Sequence, residues 1–228
     1  MARSRPATRL TEVLDAAADV FMRNGYRGAR VDQIAELAGV APGTIYLLAA
    51  SKEALFDLVI RREFGAPMLT DDAPYEVLRP AALVDQLWDH LQSVALFPAL
   101  DSALATDHTS NATAELQVVV AELYRWIATY WRGLRIAERC ATEWPELSLL
   151  FYQQLRRPGL ARLGLLLERR IAAGHLRRPP DVALAARVIL EMVAFFAMHR
   201  HTAPDSADVD AAAAEQTVIH MATAAFTL

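Results

Sequence analysis

Few side chains in this sequence could carry out chemistry on a substrate. His199 and His201 come nearest to a metal pair, but residues two apart do not face one side of a helix, and no carboxylate or thiol stands in register with them. Asp71 and Asp72 lie in a proline-rich connection rather than opposite a second acidic cluster. Cys140 is the one cysteine, which rules out an intramolecular disulfide and a thiolate zinc cluster. G-x-G-x-x-G, P-loop, G-x-S-x-G and H-E-x-x-H patterns do not occur. The expectation is no enzyme, no metal and no cofactor. What the side chains do offer is binding. Trp88, Phe97, Trp126, Tyr130, Trp131, Phe151 and Tyr152 are a surplus of aromatics, with His90, Gln92 and His108 among them, as in the lining of a cavity within a helical bundle. Each taken singly is more ordinarily core. Together, Trp88, Phe97, His108, Trp126, Tyr130, Phe151 and Tyr152 are expected to line a site for a mostly apolar or aromatic small molecule, whose identity the sequence does not specify.

Such a site needs elements to hold it, and composition supplies them. The chain has 228 residues, 54% hydrophobic and 22% charged, ample for a globular core. The net charge of −4 does not announce a nucleic-acid binder, so such a role must come from a local patch. Residues 1–66 carry nine basic and eight acidic side chains, the remainder fourteen and nineteen. The asymmetry is mild, and because 22 of the 23 basic residues are arginine it also fits a coding bias. No secretory pattern is visible. The most apolar stretch, 182–198, is interrupted by Arg187 and Glu191, which argues against a membrane span. With a single cysteine, the expected location is the reducing cytoplasm.

The periodicity is helical from end to end. Leu10, Val13, Leu14, Ala17 and Phe21 form one stripe, closed by Gly25. Val31, Ile34, Ala35 and Ala38 form a second, closed by Gly39, and Pro42 opens a third helix after the turn Gly39-Val40-Ala41. Two short helices joined by a three-residue glycine turn make either a plain αα-corner or a helix-turn-helix, whose second helix enters the DNA major groove.

The surrounding text bears on that choice. NGYRG at 24–28, VDQIAELAGVAPGTIY at 31–46 and SKEALFDLV at 51–59 resemble the N-terminal domain of the TetR family of transcriptional regulators, over some 55 residues from Leu10 to Phe64. The rest of the chain resembles the family more loosely, in helical periodicity and in the turn AAGHLR at 172–177. The resemblance implies an all-α fold: an N-terminal three-helix helix-turn-helix domain at 1–66, then an antiparallel helical bundle at 67–228 that binds ligand and dimerises. It implies a cytoplasmic homodimer that binds palindromic operator DNA, with repressor as the expected form, and lets go when a small molecule binds.

Position by position, the resemblance assigns Thr44 to the recognition helix as a phosphate or base contact and Tyr46 to a phosphate through its phenol. Pro42 and Gly43 open that helix, and Lys52, the only lysine, begins the fourth helix beside a phosphate with Ser51 as its cap. Arg27 and Arg30 flank the opening of the second helix, where Arg30 is either a phosphate contact or a solvated charge. The sequence departs from the family at Leu47, Leu48 and Ala49, where two polar groups are lost. Leu47 in the groove could touch only an apolar feature such as a thymine methyl. An arm with Arg3, Arg5 and Arg9 either reaches DNA or is a solvated tail.

Beyond Phe64, prolines 67, 74 and 80 mark a break. Helices are expected at 81–97, 99–106, 111–137, 145–173, 181–201 and 206–226, with Pro158-Gly159 kinking or splitting the fourth of these. The stripe Val182, Ala185, Ala186, Ile189, Met192, Val193 and Phe196, with Leu160, Leu163, Leu166, Leu167 and Ile171, predicts a homodimer interface through 145–173 and 181–201, or else intramolecular core. The competing function is a dimeric small-molecule-binding bundle without operator specificity, which the Leu47-Leu48-Ala49 run makes conceivable.

Overall fold

The computed structural model describes residues 6–67, 74–77, 80–93, 97–107, 109–206 and 208–228. The fold is all-α, and among the described residues there is no strand. The helices are α1 (Pro6–Gly28), α2 (Val31–Leu37), α3 (Pro42–Leu48), α4 (Lys52–Glu63), α5 (Pro80–Ser93), α6 (Pro98–Ala105), α7 (Ala112–Thr129), α8 (Trp131–Cys140), α9 (Pro145–Ser148), α10 (Arg157–Ala172), α11 (Val182–Ala197) and α12 (Ala211–Ala224). A π-helical stretch, Leu149–Arg156, joins α9 to α10.

Side-chain caps account for several starts. Ser51, Asn111, Asp181 and Asp210 each accept a hydrogen bond from the backbone N–H three residues on, at 3.1, 2.9, 2.8 and 2.8 Å. At its other end α10 closes on Gly174, whose φ of 76° is left-handed, with the His175 N–H returned to the Arg170 carbonyl at 2.9 Å.

Three expected helices differ in detail. The one at 111–137 is broken at Tyr130, which leaves helical geometry at φ −104°, ψ 19°. The one at 145–173 splits, as Pro158 predicts. Pro158 has no N–H for the carbonyl of Gln154, and the wider π turns before it accommodate the loss. The last begins at Ala211 rather than 206, because Asp210 supplies the cap.

Packing divides the chain into two units, Met1–Val94 with Arg132–Phe151, and Ala95–Trp131 with Tyr152–Leu228. In the first unit, α1 packs on α2 and α4, and α5 packs on α4 and α9. Its core holds Val13, Leu14, Ala17, Phe21, Ile34, Ile45, Leu55 and Phe56. Arg132 of α8 pairs with Asp19 of α1 at 3.0 Å and with Glu63 of α4 at 3.5 Å. In the second unit, α11 lies against α7, α10 and α12. By length and composition alone Val182–His201 could cross a membrane, at a mean hydropathy of 1.8, and 44% of that stretch is buried within the structure. The buried Arg170 fastens α10 to its neighbours. It bonds Glu115 of α7 at 2.6 and 3.0 Å, and the carbonyls of Ala103 and Thr106 at the end of α6 at 2.7 and 3.0 Å.

The stripe expected at a dimer interface is chiefly core within the chain. Val182, Ala186, Ile189, Val193, Leu163, Leu166 and Leu167 are buried against their own unit. The exposed apolar side chains of α10 and α11 are others: Leu165, Leu184, Val188 and Phe195.

Candidate nucleic-acid interface

The helix-turn-helix is built on two left-handed glycines. Gly25 (φ 71°, ψ 178°) interrupts α1 so that 26–28 swing towards α2, and a Cβ there would sit 2.7 Å from Glu143 Oε1. Glu143 in turn accepts the Arg27 N–H through Oε2 at 2.7 Å. Gly39 (φ 64°) turns the chain from α2 into α3, with the Val40 N–H held on the Ala35 carbonyl at 2.9 Å.

Ile45 plugs α3 onto the core, fully buried, which turns the opposite side of this short helix outward. Tyr46 is 50% exposed and Leu47 69%, Pro42 and Gly43 are exposed, and Thr44 is half-buried. Nothing lies within 4 Å of where a Gly43 Cβ would stand, so packing does not require glycine at that position. Leu48 is half-buried and Ala49 is buried, so of the three apolar departures only Leu47 faces solvent.

The cations differ in how they are held. Arg30 is the N-cap residue of α2 without a side-chain cap bond. Its backbone N–H is taken by Gln33 Oε1 at 3.3 Å, and its exposed guanidinium pairs with Asp32 at 3.2 Å. The side chain of Arg27 is exposed. Lys52 donates to the carbonyls of Tyr26 and Ala29 at 3.0 and 3.2 Å, and its ammonium stands 4.6 Å from the centroid of the Tyr26 ring. It therefore ties the start of α4 to the α1–α2 corner, an arrangement its solitude did not foretell. The Tyr26 phenol donates to Glu53 at 2.6 Å. That bond holds the Glu53 carboxyl below its usual range, while burial first and Glu53 second push the phenol upward. The Tyr26 ring packs among Phe21, Phe56 and Trp144. Of the basic arm only Arg9 is among the described residues, and it is exposed.

The expected ligand residues are distributed over both units. Trp88, half-buried on α5, and buried Phe151 belong to the first, and Phe97, Trp126, Tyr130 and Tyr152 to the second. His108 lies outside the described residues. Phe97, Trp126 and Tyr130 form one aromatic chain, with centroids 5.5 and 5.3 Å apart. The Trp126 indole N–H is buried without a hydrogen-bond partner. Tyr152 is among the exposed aromatics. Cys140 is buried, and burial with Glu143 nearby pushes its thiol up to about 12, which keeps it protonated and unreactive. Among the described residues no three metal-ligating side chains come together.

Sequence reasoning passed over Tyr75, Asp57 and Arg61. Tyr75 donates to Asp57 Oδ2 at 2.7 Å, and Arg61 Nε donates to the same oxygen at 2.6 Å. The readable signal was an Asp and an Arg at i and i+4 inside the apolar run of α4.

Known proteins agree with this geometry. The family of bacterial regulatory proteins described as tetR matches residues 13–59, and the AefR-like transcriptional repressor C-terminal domain matches 128–227. The fatty acid metabolism regulator protein of Bacillus subtilis is 38% identical over 65 residues, 28% of this chain and 32% of that protein. The HTH-type transcriptional regulator RutR of Escherichia coli is 46% identical over 50 residues, 22% of this chain and 24% of RutR. The chain thus aligns with only about a third and a quarter of these relatives' lengths. The structure of the ketosteroid transcriptional regulator KstR2 of Mycobacterium tuberculosis superposes with a TM-score of 0.61, at 21% identity, over 100% of this chain and 98% of that one, which speaks for the fold. Two family matches that together take in well over half of the sequence, joined to this fold, show that the chain belongs to the TetR family of bacterial regulatory proteins.

Proposed function

We propose that this chain is a ligand-responsive transcriptional regulator, a repressor by preference, that binds palindromic operator DNA as a cytoplasmic homodimer and releases it when a small molecule binds. The observation that carries the reading is α3, a short helix turned outward on Gly39 with Tyr46 and Leu47 exposed. In this reading α3 enters the major groove. Leu47 meets an apolar base edge, Thr44 and Tyr46 meet phosphate or base, and Arg27, Arg30 and Lys52 lie along the backbone. Two of the three ammonium N–H groups of Lys52 are occupied, which leaves one for a phosphate.

The effector is mostly apolar or aromatic, a reading supported by the Phe97–Trp126–Tyr130 chain and the unpaired indole N–H, which would take one acceptor atom. The fatty acid metabolism regulator protein among the similar proteins is consistent with an apolar class. The second copy is placed on α10 and α11. Their exposed Leu165, Leu184, Val188 and Phe195, and an open groove of about 430 Å³ lined by Leu160, Ala161, Gly164, Val182 and Ala183 together with the charged Glu168 and Arg187, support that placement. No catalytic step belongs to this reading.

Selection of bound sequences from a random duplex pool by the purified full-length protein, at moderate salt and without added ligand, tests it. A recovered palindrome is the expected result. Recovery of no motif, with only weak salt-sensitive binding, overturns operator recognition and leaves the small-molecule-binding bundle, a reading that solvent-facing Leu47 in place of a polar side chain favours.

A further inference from the structure

The seven residues of α3 cannot hold themselves helical in water, where helices shorter than about 12 residues are marginal. Ile45 and the Gly39 turn fasten the first half. The far end has neither a glycine nor a capping side chain. Its last residue is Leu48, and Ala49 leaves the helix with φ −138° and ψ 124°, extended and fully buried. At that point the chain between α4 and α5 returns. Tyr75 pairs with Ala49 in a parallel bridge, the one bridge among the described residues. The Tyr75 N–H donates to the Leu48 carbonyl at 2.8 Å, and the Ala50 N–H donates to the Tyr75 carbonyl at 2.9 Å. An orphan carbonyl at the helix end is thereby satisfied by a residue 27 positions away in the sequence.

The side chain of Tyr75 is anchored as firmly as its backbone. The ring is buried, and the phenol donates to Asp57 Oδ2 at 2.7 Å. The same oxygen receives Arg61 Nε at 2.6 Å, and Asp57 and Arg61 are each only 2% exposed. Arg61 continues to Gln86 of α5 at 2.5 Å and to the Pro67 carbonyl at 3.4 Å. Burial, followed by the bond to Asp57, pushes the phenol up to about 12, so it remains a donor at any physiological pH.

A phenylalanine would fill the same space. Burying a carboxylate and a guanidinium brings little net stability compared with apolar packing, but it fixes orientation, because each partner left unpaired is costly. We infer that Tyr75 is a positioning residue for the DNA-reading helix, a clamp on the C-terminal end of α3 that is aimed by the buried Asp57–Arg61 pair and linked through Gln86 to α5. This rests on the proposal that α3 reads DNA. Tyr46 and Leu47, the outward side chains, immediately precede the clamped carbonyl of Leu48, so any shift at the clamp moves them directly.

The test uses full-length Tyr75→Phe, which keeps the ring and the backbone bridge and removes one donor. Two readouts are taken: amide hydrogen exchange in the free protein, and affinity for the sequence that the unsubstituted protein selects, measured over a range of salt. Roughly tenfold faster exchange is expected at the Ala50 amide, with the Ala38 amide at the end of α2 unchanged. Affinity should drop about tenfold with the same salt slope, since no phosphate contact is removed. Unchanged exchange at Ala50 with unchanged affinity overturns the clamp. Equal acceleration at Ala50 and Ala38 also overturns it, because that marks general loosening. If the unsubstituted protein selects no sequence, DNA reading by α3 is overturned and the clamp's role in it falls too. The exchange arm then still decides whether Tyr75 holds α3, which keeps the two failures distinguishable.

Discussion

At the scale of single residues, polar side chains of the first unit act chiefly on backbone and on one another. Glu53 and Tyr26 share a 2.6 Å hydrogen bond that holds the carboxyl below its ordinary 4.5. The folded state therefore binds fewer protons than the unfolded chain across that window. The bond's stabilisation is complete above the ordinary value and is lost as pH falls through the lowered one. Melting temperatures of Glu53→Gln and the parent should accordingly differ at neutral pH and converge as pH falls through the lowered value, where the parent carboxyl becomes protonated as well. A constant difference at every pH would remove the bond from the account. Lys52 permits a sharper separation of roles. Lys52→Ala should weaken binding to all DNA sequences about equally and lower the salt slope by about 1 if its third N–H meets a phosphate. Equal weakening with an unaltered slope would leave only the ties to the Tyr26 and Ala29 carbonyls. The lone lysine was conspicuous in the sequence, but its acceptors are main-chain oxygens, which carry no sequence signature. Leu47 was legible as an apolar residue at an outward position, because Ile45 and the Gly39 turn fix which side of α3 is buried.

At the scale of elements, glycines mark where helices approach closely, and their neighbours forecast the effect of substitution. A Cβ on Gly133 of α8 would lie 2.8 and 2.9 Å from the ring of Phe64 and 3.2 Å from the Glu63 Cβ. Phe64 is fully buried and cannot move aside. Gly133→Ala should cost about 1–3 kcal/mol, as overpacking does, read as a lower urea midpoint at an unchanged m-value. Gly159→Ala is the contrast. It lies in α10 with nothing within 4 Å, and the gain in helix propensity should stabilise by up to about 1 kcal/mol. Equal effects at the two sites would refute the close approach of α8 to the end of α4. The helices themselves were legible, because the 3.6-residue stripes and the caps Ser51, Asn111 and Asp181 sit where a helix needs them. The split around Pro158 was legible for the same reason. The break at Tyr130 was not, since no proline or glycine stands there and the chain simply passes from one packing unit to the other. The return of Tyr75 to Ala49 was equally hidden, because a bridge between distant loops depends on tertiary placement rather than on local pattern.

At the scale of the whole molecule, the proposed regulator depends on two copies. A palindrome is read by two recognition helices about 34–36 Å apart, and neither copy alone makes both contacts. The apolar character of α11 was plain in the sequence, but a helix apolar on nearly every side does not reveal which side meets its own chain. In the fold Val182, Ala186, Ile189 and Val193 turn inward, while Leu184, Val188 and Phe195 stand exposed on the side turned away. A Cβ on Gly164 of α10 would stand in ordinary contact at 4.0 Å from the Ala186 Cβ of α11, so the packing there does not require glycine, and Leu165 adds a fourth exposed apolar side chain. A charge in the middle of that side should abolish self-association and leave the core intact, because Val188 is exposed in the single chain. Val188→Glu should therefore sediment as a monomer at concentrations where the parent is a dimer, with a melting transition characteristic of the isolated fold. Its affinity for a full palindrome should fall to that for a half-site, since the second recognition helix is no longer tethered to the first. Val118→Glu, an equally exposed apolar position on α7, is the control and should leave assembly unchanged. A Val188→Glu protein that remains dimeric would displace the interface from α10 and α11, and a parent that is itself monomeric would remove the two-fold reading of DNA altogether.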